Sequence, residues 1–99
     1  MIKIELNKEL FSILKKYVPE GIKRIENIEY KKETVSFEVL NSNMKELRLD
    51  ITDVIVEDGM DNQEVVNEIG KNLYWLYDEI RYQEKKQRVW LKIKRILEE

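Results

Sequence analysis

The chain has 99 residues, of which 42% are hydrophobic and 38% charged, with a formal net charge of −2. That is enough apolar material for one modest core but too little chain for two, so residues 1–99 read as a single globular domain, not a disordered tail. The chain has no cysteine and no histidine, which excludes disulfides, thiolate zinc sites and a histidine general base.

The charge is unevenly spread. Residues 1–44 carry a net +1, residues 45–68 a net −6 and residues 69–99 a net +3. An acidic centre followed by a basic end can steer a charged partner, although interspersed charges also simply solvate a small domain. No apolar run approaches the roughly 20 residues needed to cross a bilayer. The opening residues lack the continuous apolar stretch of a secretion signal. A cytoplasmic protein without a membrane partner is therefore expected.

Met1 to Leu6 alternates Ile2, Ile4 and Leu6 with polar residues, which predicts a short strand, the first turns of the next helix being the alternative. Asn7 is placed to cap a helix from Lys8 to Tyr17, with Leu10, Phe11, Leu14 and Val18 at helical spacing, and Pro19 and Gly21 end it. Three strands are then expected: Ile22 to Lys31, Thr34 to Leu40 and Lys45 to Val56. Lys31–Glu33 and Asn41–Asn43 carry turn chemistry between them, giving an antiparallel meander.

Asp61 with Glu64 three positions on resembles a capping box, opening the strongest helix of the chain. Val65, Val66, Ile69, Leu73, Leu76, Tyr77 and Ile80 form its apolar stripe. The phase fails after Ile80, because Glu84 and Gln87 are polar where the stripe requires apolar residues. A bend near Gln83 to Gln87 is expected, followed by a second helix with Val89, Trp90, Ile93, Ile96 and Leu97 on one side; a straight helix to the end competes with it. The expected fold is α+β: an N-terminal helix, a three- or four-stranded antiparallel sheet, and a long C-terminal helix or helical hairpin packed on one face.

Four of the nine aromatic residues fall between Asn72 and Tyr82. At about 100° per residue, Ile69, Leu76, Tyr77 and Ile80 lie within about 60° of Leu73, whereas Trp75 and Tyr82 fall about 200° and 180° away. Trp75 and Tyr82 are thus outward-facing anchor candidates, to be covered by the chain's own C-terminus or by another molecule.

Catalytic signatures are missing. The serines, Ser12, Ser36 and Ser42, sit in no nucleophile elbow, and the three isolated glycines build no phosphate loop. Placing Gly59 at the sixth position of a calcium loop puts Val54, Val56 and Val65 at ligand positions, so that motif fails. A loose carboxylate site from Asp53, Asp58 and Asp61 is a minor alternative, and Glu20, Glu29 and Lys31 lack the spacing of a two-metal nuclease. The expectation is no enzyme, no cofactor and no metal. Arg81, Lys85, Lys86, Arg88, Lys92, Lys94 and Arg95, interleaved with Tyr82 and Trp90, raise nucleic-acid binding as an alternative, set against an acidic pI near 5.4.

The stretch EDGMDNQEVVNEIGKNLYWLYDEIRYQ resembles helices of small proteins of bacteriophages and mobile elements, and the Lys-, Ile-, Glu- and Asn-rich composition is similar to theirs. The resemblance implies a small, non-enzymatic inhibitor of a host protein, anti-CRISPR proteins being among that class; it transfers no site residue. The expected function is protein binding, with Trp75 and Tyr82 as anchors and Asp58, Asp61, Glu64 and Glu68 facing a basic surface. A homodimer is a further alternative. The nucleic-acid alternative rests on Arg81, Lys85, Lys86, Arg88, Lys92 and Arg95.

Overall fold

The computed structural model describes residues 1–61 and 65–98. Strand β1 (Ile2–Asn7) leads into helix α1 (Lys8–Tyr17), a short helix α2 (Pro19–Ile22), and strands β2 (Ile25–Tyr30) and β3 (Thr34–Val39). A 3-10 turn at Asn41–Asn43 opens helix α3 (Met44–Asp58). The two-residue strands β4 (Met60–Asp61) and β5 (Val65–Val66) then pair ahead of helix α4 (Glu68–Glu98). The fold is α+β, as the patterning predicts.

The main sheet is antiparallel in the order β1-β3-β2. Its inner face presents Ile2, Ile4 and Leu6 of β1 opposite Val39, Phe37 and Val35 of β3, so period-2 alternation becomes one buried face. Phe11 of α1, Leu47, Ile51 and Ile55 of α3, and Leu73, Leu76 and Ile80 of α4 complete the core. Asn7 caps α1 as expected, its Oδ1 accepting from Leu10 N–H at 2.7 Å. In β2 a bulge between Glu26 and Glu29 and a positive φ of 52° at Asn27 break the regular alternation.

Three expectations are corrected. Lys45 to Val56 is helical, within α3, and not a fourth strand. Met44, Leu47, Ile51 and Ile55, spaced three and four apart, are its buried line, while Leu49, on which the apparent alternation depended, is exposed. The β-branched run Val54-Ile55-Val56 favoured strand by propensity alone, and packing overrides it.

Residue Asp61 does not start the last helix, since it pairs with Val65 in the β4–β5 ribbon; Val65 and Val66 are strand residues. The cap is Asn67, whose Oδ1 accepts from Gly70 N–H at 2.9 Å while its Nδ2 donates to the Asp58 carbonyl at 3.1 Å. That residue therefore ties the end of α3 to the start of α4. Gly59 and Gly70 allow the close approach: a Cβ on Gly59 would meet Gly70 Cα at 2.9 Å, and one on Gly70 would overlap the Gly59 carbonyl oxygen.

The expected bend at Gln83 to Gln87 is absent, because α4 is one helix of 31 residues. The polar residues that interrupt the apolar phase serve the sheet edge. Gln83 Oε1 accepts from Glu5 N–H at 2.8 Å and its Nε2 donates to the Glu5 carbonyl at 2.7 Å. Gln87 does the same for Lys3, Oε1 accepting at 3.0 Å and Nε2 donating to the carbonyl. Four residues of helix rise about 6 Å, close to the about 6.8 Å between alternate strand residues. Two glutamines one turn apart thus serve as a surrogate neighbouring strand for β1, blunting an edge that would otherwise be open.

Candidate partner-binding surface

The α4 helix is the longest element, and its two faces differ. Inward, Leu73, Leu76 and Ile80 are fully buried. Outward, Trp75, Tyr82, Val89 and Ile96 follow one another at seven-residue intervals, and are 64%, 61%, 50% and 65% exposed. A seven-residue step turns a helix only about 20° short of two full turns, so these four side chains form one gently drifting line about 31 Å long. Trp90, Ile93 and Leu97 broaden it toward the C-terminus, all exposed. No part of the described chain covers this line: the helix runs straight on, and does not fold back over Trp75.

The borders of the line carry charge. Lys86 sits beside it with its ammonium 6.0 Å from the Tyr82 ring centre. Arg81, Lys85, Arg88, Lys92 and Arg95 recur at steps of four and three residues, forming a basic stripe on one flank. Near the start of the helix the charge reverses, with Asp78 and Glu79 following Trp75. A shallow hollow between Tyr82, Gln83, Lys86 and Gln87 reaches Glu5 and Thr34 of the sheet. There Glu5 accepts from Lys31 at 3.0 Å. This hydrogen bond holds the Glu5 carboxyl below its ordinary value and the Lys31 ammonium above its own.

The expected acidic contacts are scattered. Glu68 is the first residue of α4, seven positions before Trp75, so it heads the outward line; it lies 4.0 Å from Lys71. Asp58 ends α3 on the exposed surface, and Asp61 lies in β4. Glu64 falls outside the described residues. Asp53 and Asp58 border a hollow on α3, and among the described residues no three metal-capable side chains converge. No helix among the described residues is long and apolar enough to cross a membrane.

Sequence reading missed Arg48 and Glu84. Glu84 is only 6% exposed, and its two carboxylate oxygens each meet an arginine: Oε2 lies 3.1 Å from Arg48 Nε and Oε1 3.0 Å from Arg88 Nε. The Arg88 contact is an aligned hydrogen bond, whereas Arg48 Nε is buried and unaligned, held by charge alone. The break in apolar phase at Glu84 was the available signal, but its partner lies on α3, 36 positions earlier. No protein-family description, curated protein or solved structure matches the chain.

Proposed function

We propose that this protein is a non-enzymatic protein-binding module, and that it docks its partner along the outward line of α4. The observation that carries this reading is the heptad line Trp75, Tyr82, Val89 and Ile96, exposed along a helix whose opposite face already secures the core. Monomeric proteins seldom leave so long an apolar strip in water unless something covers it. Trp and Tyr bring a large contact area at low entropic cost, which is why they anchor interfaces. With Trp90, Ile93 and Leu97, the line presents seven exposed apolar side chains, three of them aromatic, as the centre of a protein interface does.

Charge narrows the partner. Lys85, Lys86 and Lys92 border the line over its C-terminal half, so the fitting surface is an apolar strip with acidic rims. Inhibition of a host protein is the role we infer for such docking, from the likeness of residues 57–83 to helices of phage and mobile-element proteins. The test is capture of partners from a lysate of the native cells by the wild type and by Trp75→Ala, with mass spectrometry and an unfolding curve for both. The expected result is loss of a specific, acidic-rimmed partner with unchanged stability. Retention of every partner by a folded Trp75→Ala overturns the anchor assignment. A doubled mass in sedimentation, abolished by the same substitution, would instead make the occupant a second copy of this chain.

A further inference from the structure

Where α3 crosses α4, a half-open surface hollow of about 330 Å³ is lined by Arg48, Arg81, Glu84, Lys85, Arg88 and Val89. Its size falls at the lower end of small-ligand sites, roughly 300–1,000 Å³. Four cationic side chains against one carboxylate leave a formal surplus of three positive charges. Arg81, Glu84, Lys85 and Arg88 share a helix face by their spacing of three and four, and Arg48 approaches from the neighbouring helix.

The arrangement around Glu84 is the telling feature. Burying a carboxylate between two arginines costs desolvation, and apolar residues in place of the whole group often serve stability as well or better. What Glu84 does is offer one oxygen to each arginine, as a hydrogen bond to Arg88 Nε and as a charge contact to Arg48 Nε. The Nη groups of Arg48 and Arg88 make no hydrogen bond among the described residues, nor do the side chains of Arg81 and Lys85. The Arg88 fork is therefore fixed at its base by an aligned hydrogen bond, the Arg48 fork is drawn to the same carboxylate by charge, and both are free at their tips, in a hollow with a strong positive surplus. That is the geometry suited to bidentate recognition of a tetrahedral oxyanion, and a dianionic group matches the surplus better than a single carboxylate.

We propose that Arg48, Arg81, Lys85 and Arg88 form a binding site for a phosphoryl group, with Glu84 as the positioning residue that orients Arg88 through a hydrogen bond and keeps Arg48 close through charge. The phosphoryl group belongs either to a small phosphorylated molecule or to a nucleic-acid backbone, whose further phosphates would lie along Lys92 and Arg95. The site shares Val89 with the apolar line and Lys85 with its basic border, whereas Arg48, Arg81 and Arg88 lie off the line, so substitutions at those arginines test it separately from partner docking.

Calorimetric titration with inorganic pyrophosphate at low salt tests the site, using the full chain. Arg81→Gln and Arg48→Gln are each expected to weaken binding by about tenfold, and Lys92→Gln to leave it unchanged. Arg81 makes no ion pair among the described residues, so its variant keeps the test meaningful if loss of Arg48 unsettles the fold. Glu84→Gln is the sharper arm: it removes the one negative charge and so raises the positive surplus of the hollow, yet leaves a single acceptor oxygen, and an opposing amide donor, where two arginines share a carboxylate. An organised site loses affinity, whereas a diffuse basic patch gains it. A parallel titration with a short oligonucleotide separates the sources, since tighter binding that depends on Lys92 and Arg95 identifies a backbone and parity with pyrophosphate a small molecule. No heat with either probe, tighter binding by Glu84→Gln, or equal losses from Arg81→Gln and Lys92→Gln overturns the proposal.

Discussion

The first two-thirds of α4 and its last three turns belong to one unbroken helix, but they do different work. Between Gly70 and Gln87 nearly every inward or flanking position has a partner: Gly70 against Gly59, Leu73, Leu76 and Ile80 in the core, Gln83 and Gln87 on the β1 backbone, Glu84 on two arginines. From Arg88 to Glu98 every residue is exposed, although Val89, Trp90, Leu91, Ile93, Ile96 and Leu97 are large and apolar. In the first segment apolar residues are explained by the fold. In the second they are not, and a continuous line joins all of them but Leu91 to Trp75 and Tyr82. The comparison teaches that burial, not hydrophobicity, marks what the fold uses, and that the remainder is left in water, where the proposed docking would cover it.

The contrast breaks most visibly in the core-facing segment. Leu76→Ala, at a fully buried position, is expected to lower unfolding free energy by about 2–5 kcal/mol in urea titrations. Trp90→Ala on the exposed segment should change it by no more than about 0.5 kcal/mol. Equal losses would mean that the tip is packed in solution. Gly70→Ala should cost about 3 kcal/mol, since its Cβ meets the Gly59 carbonyl and forces α3 and α4 apart; a neutral effect in the same titration would show that the crossing can relax.

Smaller effects sharpen the role of the polar positions. Gln83→Ala and Gln87→Ala should each cost about 1 kcal/mol and expose the β1 edge. The double variant is therefore expected to self-associate on size exclusion at concentrations where the wild type elutes unchanged. A stable double variant without association would remove the surrogate-strand role. The smallest effect concerns Glu5. Its carboxyl is held below the ordinary value chiefly by the Lys31 hydrogen bond, so the pair's contribution is present above the unfolded carboxylate range and lost as pH falls through the lowered folded value. Glu5→Gln should slightly flatten the acid side of the stability profile and leave its neutral region nearly unchanged, because the pair is exposed. An identical acid limb in both proteins would argue against the pair.

Much of this was legible in the residues. The β1 alternation, the Asn7 cap, the Thr34–Val39 strand and the outward angle of Trp75 and Tyr82 all follow from local pattern. What was not legible depended on contacts between distant segments. Leu47, Leu49 and Ile51 fit period 2 as neatly as Leu47, Ile51 and Ile55 fit a helix, and only the α3–α4 crossing decides between them. Gln83 and Gln87 looked like a helix terminus because their partners, Lys3 and Glu5, lie at the opposite end of the chain. Glu84 read as part of the same break in the apolar phase, Arg48 being remote in sequence. Polar interruptions of an apolar stripe carry two meanings, an end or a specific buried partner, and sequence spacing alone does not separate them.

The chain has two tryptophans, Trp75 and Trp90, and both lie on the outward face, 64% and 60% exposed. Intrinsic fluorescence therefore reports on that face without interference from the core. Acrylamide quenching across a range of protein concentrations tests the central claim most directly. The account predicts water-exposed emission and quenching close to that of free tryptophan at every concentration, with protection appearing only when the partner is added. Blue-shifted, protected emission from the isolated protein at high dilution would mean that the chain itself covers the line, and the outward face of α4 would lose its role as a docking surface.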